Sequence, residues 1–364
     1  MQLKVLTVTI PTWNRAKLLE ELLSELVEQI ISDNLQDKVE LLISNNGSED
    51  ETEPIVFALK AKHEFISYNN NGINKGARYN VLKCMELASA KYLILFGDDD
   101  RLNIGALKKV VQFLEANPFT GCLYDSHLFK KNPFGDAVVT LSQLAENFFY
   151  YLGNAGLFIV RSDYVKEVLI QHTYDFFSPT WPQTQIFILA SEQNEKDEIR
   201  ICDLDILSAG RHEEVMIYTS YYLWRTTYHD LVDAALSIKT EISYETFRAA
   251  TSYFKNNVTQ NFFNVLQCGV FLDDKETRIK TSKHIFKNLY KFGLKEKLFL
   301  TIAATTLILP VFLTRFLSDT FILVAKGKQG LQKKNAFVNK EKQKRLNKLN
   351  ASTNAIREFD FKNI

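Results

Sequence analysis

The sequence predicts an α/β fold built on a mostly parallel, doubly wound sheet, with a helical extension at the C-terminal end. Over roughly the first 115 residues, short apolar runs alternate with helical patterns, which is typical of βαβ units with right-handed crossovers. From about residue 221 to 292 the apolar spacing is helical only. We therefore expect a sheet domain at 1–220, a helical extension at 221–295, an apolar segment at 296–326 and a basic tail at 327–364.

The first βα unit begins with a β-branched, apolar run at residues 5–10, which Pro11 closes. A run of this kind is typical of a strand. A helix is predicted directly after it, because six apolar residues follow at helical spacing. They are Leu18, Leu19, Leu22, Leu23, Leu26 and Ile30.

The same unit then repeats along the chain. Apolar runs predict strands at 39–44, 65–68 and 92–96, and the intervening patterns predict helices at 53–62, 75–87 and 107–115. Beyond these the regularity loosens, with strands expected at 121–124 and 156–160 and a helix at 183–190.

Composition narrows the class of protein. A chain of 364 residues with 46% hydrophobic residues is typical of a globular protein and excludes disorder for most of its length. Its four cysteines are widely spaced and form no CxxC pair, so neither a zinc site nor a redox motif is predicted. The N-terminal residues enter a strand pattern almost at once, and no signal peptide is expected.

An acidic cluster follows the strand at 92–96. Gly97 is succeeded by Asp98, Asp99 and Asp100, and ligands of open α/β sheets collect beyond the carboxyl ends of such strands. Three neighbouring carboxylates repel one another unless a positive charge lies among them, and their oxygens suit Mg²⁺ or Mn²⁺. The alternative is a solvated turn that caps the helix beginning near Ile104.

Four blocks in this order resemble a family-2 glycosyltransferase of the GT-A fold. They are VTIPTWNR at 8–15, LLISNNGSEDET at 41–52, NKGARYN at 74–80 and YLILFGDDDRLNIGAL at 92–107. The resemblance covers roughly the first 115 residues and weakens beyond them. It implies transfer of a sugar from a nucleotide-sugar donor with inversion at the anomeric carbon, assisted by Mn²⁺ or Mg²⁺.

The resemblance also implies which residues hold the nucleoside. Pro11, Thr12, Asn14 and Asn46 would line the base and ribose of the donor. The family usually carries Asp at or beside the position of Asn46, where a carboxylate accepts from a pyrimidine imide. Asn both accepts and donates, so this departure leaves the donor open, with a UDP-sugar favoured.

The same resemblance assigns the diphosphate and the metal. Gly76 and Arg78 would lie near the pyrophosphate, where a guanidinium binds oxyanions; alternatively, Arg78 faces solvent at a helix start. Asp98 would lie toward the ribose, and Asp99 and Asp100 toward the metal.

The segment expected to act on the sugar acceptor departs further from the family pattern. The family's general base is usually one carboxylate of an acidic pair before a helix, but Pro-Thr-Trp-Pro precedes the helix predicted at 183–190. Asp175 is the nearest upstream carboxylate and our candidate base, with Glu192 the nearest downstream one. His212 is a candidate metal ligand, because a neutral imidazole can ligate. The alternatives are an exposed loop acid for Asp175 and a solvent-facing histidine for His212.

The C-terminal region predicts contact with a membrane surface. Residues 298–313 contain no charged side chain. This stretch is too short to cross a membrane completely and suits a segment that lies at the membrane interface. Lysines that would attract anionic lipid precede and follow it; those before it are Lys283, Lys287, Lys291, Lys295 and Lys297. The alternative is a buried helical hairpin, and without a recognisable binding module no nucleic-acid partner is expected.

Together these features predict a metal-dependent, inverting glycosyltransferase at the cytoplasmic face of the inner membrane. Its partners would be a nucleotide-sugar donor and a glycan or polyprenyl-linked acceptor in surface polysaccharide synthesis. Two alternatives stay open: nucleotidyl transfer, against which the lack of a Gly-rich, Lys-bearing phosphate loop argues, and a non-catalytic relative that binds nucleotide sugars.

Overall fold

A computed structural model describes the chain over residues 3–118, 120–126, 133–149, 152, 154–194, 196–208 and 219–310, and at scattered positions from 313 to 343. The described residues divide into two compact units. The first holds those up to 208 together with Asp233–Ala250. The second holds those at 219–232 and from Thr251 on.

An eight-stranded sheet forms the centre of the first unit, with the strand order β3-β2-β1-β4-β7-β5-β8-β6. The strands are β1 (Leu6–Thr12), β2 (Val39–Asn45), β3 (Ile66–Asn70), β4 (Tyr92–Leu95), β5 (Thr120–Asp125), β6 (Ala137–Val139), β7 (Phe158–Arg161) and β8 (Glu198–Cys202). Strands β1 to β4 pair in parallel. The predicted mostly parallel α/β sheet is therefore confirmed.

Helices separate β1 to β5 in the chain as predicted, whereas the two helices that flank β7 were not predicted. The first unit contains α1 (Ala16–Ser32), α2 (Thr52–Lys60), α3 (Ala77–Glu86), α4 (Ala106–Ala116), α5 (Leu141–Phe148), α6 (Ser162–Gln171) and α7 (Pro182–Gln193), with a 3₁₀ turn at Tyr174–Phe176. In α1, the apolar positions at helical spacing become its buried face, which includes Leu19, Leu22, Leu23, Leu26 and Ile30. Burial of this stripe explains why periodicity located the helix.

The far half of the sheet departs from simple βαβ repetition. Strand β7 runs antiparallel to both β4 and β5, between which it lies. Strand β8 pairs in parallel with β5 and antiparallel with the short β6. The sequence predicted β5 and β7 but neither their direction nor β6 and β8, because strand direction depends on pairing between distant residues, which periodicity does not contain.

The second unit is helical, as expected. It contains α8 (Ser220–Trp224), a π-helical turn (Arg225–His229), α11 (Lys275–Asn288), a 3₁₀ turn (Leu289–Lys291) and α12 (Leu294–Ile308). Helices α9 (Asp230–Ser237) and α10 (Tyr244–Phe271) each contribute residues to both units. Within the first unit, Gln185 of α7 donates hydrogen bonds to Ala234 O at 3.1 Å and to Ser237 Oγ at 2.7 Å.

Helices α11 and α12 form an antiparallel hairpin. Arg278, near the start of α11, donates to Leu309 O at 2.7 Å, and Ser282 donates to Ala304 O at 2.7 Å. The apolar segment expected at 296–326 therefore begins as a packed helix, with Leu300 and Leu307 buried. None of the helices in the part of the chain that the structure describes is long and apolar enough to cross a membrane.

All four cysteines of the chain are buried, and none of them forms a disulfide. Burial raises the pKa of the thiols of Cys84, Cys122 and Cys202 above its ordinary value. The thiolate form is therefore suppressed at neutral pH, which agrees with the absence of a redox motif in the sequence.

A buried carboxylate joins the first strands in the half of the sheet nearer their amino ends. Glu40 of β2 accepts hydrogen bonds from Thr7 Oγ1, Ser67 Oγ and Ser89 Oγ, each at 2.7 Å. Burial by itself would raise the pKa of Glu40, but the bonds from Ser89, Thr7 and Ser67 outweigh it, and this pKa lies below its ordinary value. Glu40 therefore stabilises the fold in its ionised form.

We expect Glu40→Gln to lower the free energy of unfolding by about 1–3 kcal/mol at pH 7, because an amide cannot accept this set of hydrogen bonds. The depressed pKa means that the contribution of Glu40 is present above the pKa of the unfolded chain and is lost as the pH falls through the folded value. Urea unfolding between pH 7 and pH 3 measures both effects, and the variant should lose less stability on acidification. Glu115→Gln, which removes half of an exposed ion pair with Lys38, is the control, and equal losses in the two variants would contradict this assignment.

Candidate functional site

Four parallel strands end at one edge of the sheet, and the order of the strands reverses there. Strands β2 and β3 lie on one side of β1, while β4 lies on the other. A reversal of this kind opens a crevice beyond the carboxyl ends of the two central strands, where α/β proteins bind ligands. The segments after β1, β2, β3 and β4, which contain the predicted donor-site residues, meet at this edge.

The contact across the reversal is a buried carboxylate. Asp98, after β4, is 5% exposed. Its Oδ2 accepts a hydrogen bond from Thr12 Oγ1 at 2.8 Å, and its Oδ1 accepts one from Arg15 Nη1 at 2.7 Å. Burial raises the pKa of Asp98, with Arg15 and Thr12 acting against the shift. Burial also opposes the charge on Arg15, but Asp98 and Asp99 outweigh it and the pKa of Arg15 is raised.

The acidic cluster includes a cation from another loop. Arg15 Nη1 lies 3.3 Å from Asp99 Oδ2, in addition to its bond to Asp98. The repulsion among the three aspartates that the sequence predicted is thus offset, for Asp98 and Asp99, by a guanidinium. No role for Arg15 was predicted, because the sequence pattern does not show that the loop after β1 reaches the loop after β4.

A side chain at Gly97 would crowd these carboxylates. A Cβ atom at Gly97 would lie 2.9 Å from Asp99 Oδ1 and 3.3 Å from Asp100 Oδ2. The backbone N–H of Gly97 donates to Asp100 Oδ2 at 2.7 Å, and Asp100 is 2% exposed. A larger residue at this position would therefore require Asp99 and Asp100 to shift.

The donor set fits a hard divalent cation in its chemistry. Asp99 and Asp100 offer carboxylate oxygens, which Mg²⁺ and Mn²⁺ prefer. Among the residues that the structure describes, no three His, Cys, Asp or Glu side chains form a group that could hold a metal ion. His212, the predicted additional ligand, lies outside the described residues.

Asn46, after β2, is held by hydrogen bonds within the protein. Its Oδ1 accepts from Asn71 Nδ2 at 3.0 Å and from the backbone N–H of Lys75 at 3.1 Å. Its Nδ2 donates to Asn74 Oδ1 at 2.8 Å and to Gly76 O at 3.3 Å. The structure therefore brings Asn46 and Gly76, which were predicted separately for the nucleoside and the pyrophosphate, into contact. Aspartate could not make these bonds, because an ionised carboxylate only accepts.

A second asparagine, Asn80 of α3, extends this network and was not predicted. It is 3% exposed. Its Nδ2 donates to Ser44 O at 2.9 Å and to Thr12 O at 3.3 Å, and its Oδ1 accepts from Ser44 Oγ at 2.7 Å and from Asn71 Nδ2 at 2.9 Å. Asn80 thus joins α3 to the ends of β1 and β2. The high frequency of asparagine between residues 69 and 80 is the feature of the sequence that could have indicated the role of Asn80.

The loops after β1 and β2 are also fastened to each other. Asn14 has a positive φ of 51°, a conformation that asparagine tolerates better than most residues. Its Oδ1 accepts from the backbone N–H of Glu49 at 2.8 Å, and its own N–H donates to Ser48 Oγ at 2.9 Å. Pro11, predicted beside Asn14 in the donor site, lies within β1 opposite Ser44.

The predicted base and the predicted phosphate-binding residue form a pair. Arg78, in the first turn of α3, forms an ion pair with Asp175 and donates to Phe177 O at 3.1 Å. The Asp175 side chain is 88% exposed. The other candidate base, Glu192, instead accepts from the backbone N–H of Ser243 at 2.7 Å. Asp175 is therefore exposed to solvent, whereas Glu192 is hydrogen-bonded to the residue that precedes α10.

Comparison with known proteins gives a family match and named relatives. Residues 7–167 match the model of the family described as Glycosyl transferase family 2. The chain is 33% identical over 113 residues to the abequosyltransferase RfbV of Salmonella typhimurium, which is 31% of this chain and 33% of that protein. It is 30% identical over 124 residues to the GalNAc(5)-diNAcBac-PP-undecaprenol beta-1,3-glucosyltransferase of Campylobacter jejuni, which is 33% of this chain and 38% of that protein. The matches thus span about a third of each relative.

Among solved structures, S. aureus TarS 1–349 is similar over 84% of this chain and 90% of its own length. The TM-score is 0.54 and the sequence identity 17%. Its complex with UDP-GlcNAc gives a TM-score of 0.53 at 15% identity, over 84% of this chain and 90% of that one. These similarities concern the fold, and they confirm the predicted GT-A architecture.

We expect Arg15→Gln to lower the free energy of unfolding by about 1–3 kcal/mol, because it leaves the buried Asp98 carboxylate without its cation. The double variant Arg15→Gln/Asp98→Asn should recover part of this loss, since it removes the charge as well. Urea unfolding of the two single variants and the double variant forms a double-mutant cycle that measures the coupling. The control is Lys38→Gln, in the exposed pair with Glu115, where a loss below about 1 kcal/mol is expected. A coupling near zero would show that Arg15 does not stabilise Asp98.

Proposed function

We propose, from the match of residues 7–167 to the model of glycosyl transferase family 2, that this chain is a glycosyltransferase of that family and transfers a sugar from a nucleotide-sugar donor to a glycan acceptor. One observation carries the proposal. The Asp98–Thr12–Arg15 contact and the asparagine network around Asn46 meet at the crevice where a sheet of this order binds nucleotides.

We propose a UDP-sugar as the donor. S. aureus TarS, which shares this fold over 84% of the chain, has been solved with UDP-GlcNAc. The atoms of the Asn46 amide already have partners within the protein. In our proposal Asn46 therefore shapes the loop at 71–76 that borders the nucleoside, while the backbone groups of that loop and of residues 12–15 contact the base and ribose.

The donor's diphosphate requires positive charge as the bond to the sugar breaks. When bound, Mn²⁺ or Mg²⁺ would neutralise the leaving diphosphate as a Lewis acid, and Asp99 and Asp100 are the residues that would hold it. Arg15 holds this acidic cluster in place through its contacts with Asp98 and Asp99. This role of the acidic cluster is supported by the chemistry of its oxygens and by its place after β4.

We propose Asp175 as the general base of an inverting reaction. Its carboxylate is exposed and is oriented by Arg78, whose backbone lies two residues after Gly76. Deprotonation of the acceptor hydroxyl by this carboxylate would allow that oxygen to attack the anomeric carbon from the face opposite the diphosphate. Arg78 acts here as a positioning residue, because it binds both Asp175 and the carbonyl of Phe177.

The proposed acceptor is a glycan on a polyprenyl diphosphate in surface polysaccharide synthesis. The Campylobacter relative is named for an acceptor linked to undecaprenol through a diphosphate. An acceptor of this kind lies in a bilayer, so we propose that the protein works at the cytoplasmic face of the inner membrane, as a peripheral or monotopic protein.

We expect Asp99→Ala to reduce kcat/KM for sugar transfer by at least about 100-fold, because it removes a group that stabilises the leaving diphosphate. The variant should remain folded, and Asp37→Ala, an exposed acid before β2 at the opposite edge, should keep its activity. A panel of nucleotide sugars, with and without Mn²⁺, is assayed for nucleoside diphosphate release and by thermal shift. Full metal-dependent transfer by Asp99→Ala would refute the assignment. Release of pyrophosphate would indicate nucleotidyl transfer, and binding without turnover a non-catalytic relative.

We expect Asp175→Asn to lower kcat by about 100-fold or more and to leave KM for the donor nearly unchanged, because a base acts in the transition state. Steady-state kinetics with saturating acceptor measure the two constants separately. Retention of kcat in Asp175→Asn, together with its loss in Glu192→Gln, would assign the base to Glu192 instead.

A further inference from the structure

The turn of the α11–α12 hairpin exposes large apolar side chains. Phe286 and Tyr290 are 43% and 74% exposed, and Leu294 and Leu298, at the start of α12, are 87% and 61% exposed. Because the two helices are antiparallel, residues 286–298 are the end of the hairpin at which they are joined. We call these four side chains the hairpin tip.

Positive charge accompanies the hairpin tip. Lys283 and Lys287 are exposed on α11 and, with Phe286, follow the spacing i, i+3 and i+4 that places residues on one helix face. Tyr290 lies in the 3₁₀ turn that follows α11. From Lys283 to Leu298 the sequence has five lysines, no arginine and one acid. That acid, Glu296, is 5% exposed, so its carboxylate offers almost no surface to a docked headgroup.

We propose that the hairpin tip docks on an anionic lipid bilayer, with Tyr290, Leu294 and Leu298 entering the headgroup region and Lys283 and Lys287 facing the lipid phosphates. Apolar insertion and attraction of cations to an anionic leaflet act together in interfacial binding. Lysine suits this role because its alkyl chain lies along an apolar surface while its ammonium group stays at the level of the phosphates.

The composition of the surface favours lipid over other occupants. Protein interfaces are enriched in arginine and depleted in lysine, whereas every cation in this stretch is lysine. Nucleic-acid recognition likewise favours the guanidinium group, which binds phosphates in a bidentate manner. A bilayer requires neither fixed geometry nor a paired partner, only a diffuse negative charge and an apolar layer beneath it.

This inference rests on the proposed function in one respect, since a lipid-linked acceptor would bring the enzyme to a bilayer. It assigns the contact to the packed hairpin tip and leaves the buried face of α12, with Leu300 and Leu307, inside the protein. The hairpin would then act as a peripheral anchor that keeps its own core intact.

Cosedimentation of the full chain with phosphatidylcholine vesicles, with and without phosphatidylglycerol, tests the proposal. We expect binding only to the vesicles that contain phosphatidylglycerol, weakened by added salt. Lys283→Gln/Lys287→Gln should weaken it by about 20-fold or more, and Leu294→Ser by about tenfold. The controls carry matched changes in the first unit: Lys60→Gln/Lys62→Gln, both exposed, and Ile170→Ser, where the isoleucine is 85% exposed.

Three results would overturn the proposal. They are an absence of vesicle binding by the unaltered protein, equal losses in the hairpin and control variants, and a self-association in sedimentation velocity that Leu294→Ser abolishes while vesicle binding persists. Donor turnover is measured without vesicles on the same variants. Vesicle binding that depends on the hairpin tip, in a protein that releases no nucleoside diphosphate, would support the docking surface while the proposed function fails.

Discussion

A carboxylate buried at the point where the strand order reverses organises the candidate site. Asp98 joins the end of β1, through Thr12, to the end of β4, and Arg15 balances its charge. A buried carboxylate without such partners is costly, so the loops after β1 and β4 must meet in this way if Asp98 is to remain ionised. The positions of Asp99 and Asp100 follow from that meeting, because both residues are adjacent to it in the chain.

On the other side of β1, side-chain amides join the ends of the neighbouring elements. Asn46 and Asn80 both donate and accept, and together they tie β1, β2 and α3 to the loop at 71–76. Carboxylates at these two positions would repel each other and could not donate. The site therefore combines one charged contact, at the reversal, with an uncharged network beside it, and the negative charge is concentrated where the diphosphate and its cation are proposed to bind.

Different parts of this structure were accessible from the sequence to different degrees. Strands β1 to β4 were predicted because buried strands require continuous apolar runs, and the helices between them because burial of one face imposes a helical period. The direction of β7, the contact of Arg15 with Asp98 and Asp99, and the partners of Asn80 depend on residues that lie far apart in the chain, which a period cannot encode. Gly97 shows a further limit: the sequence reveals the glycine, while the carboxylates that would crowd a Cβ there appear only in three dimensions.

The burial of every native cysteine has a practical consequence for spectroscopy. Alkylating reagents attack thiolates, and the four thiols here are enclosed by the fold. In three of them burial also raises the pKa, which lowers the fraction of thiolate. A cysteine introduced at an exposed position would therefore be labelled selectively in the folded protein, without first removing the native ones. Fluorophores or spin probes can thus be placed in either structural unit on an otherwise unaltered chain.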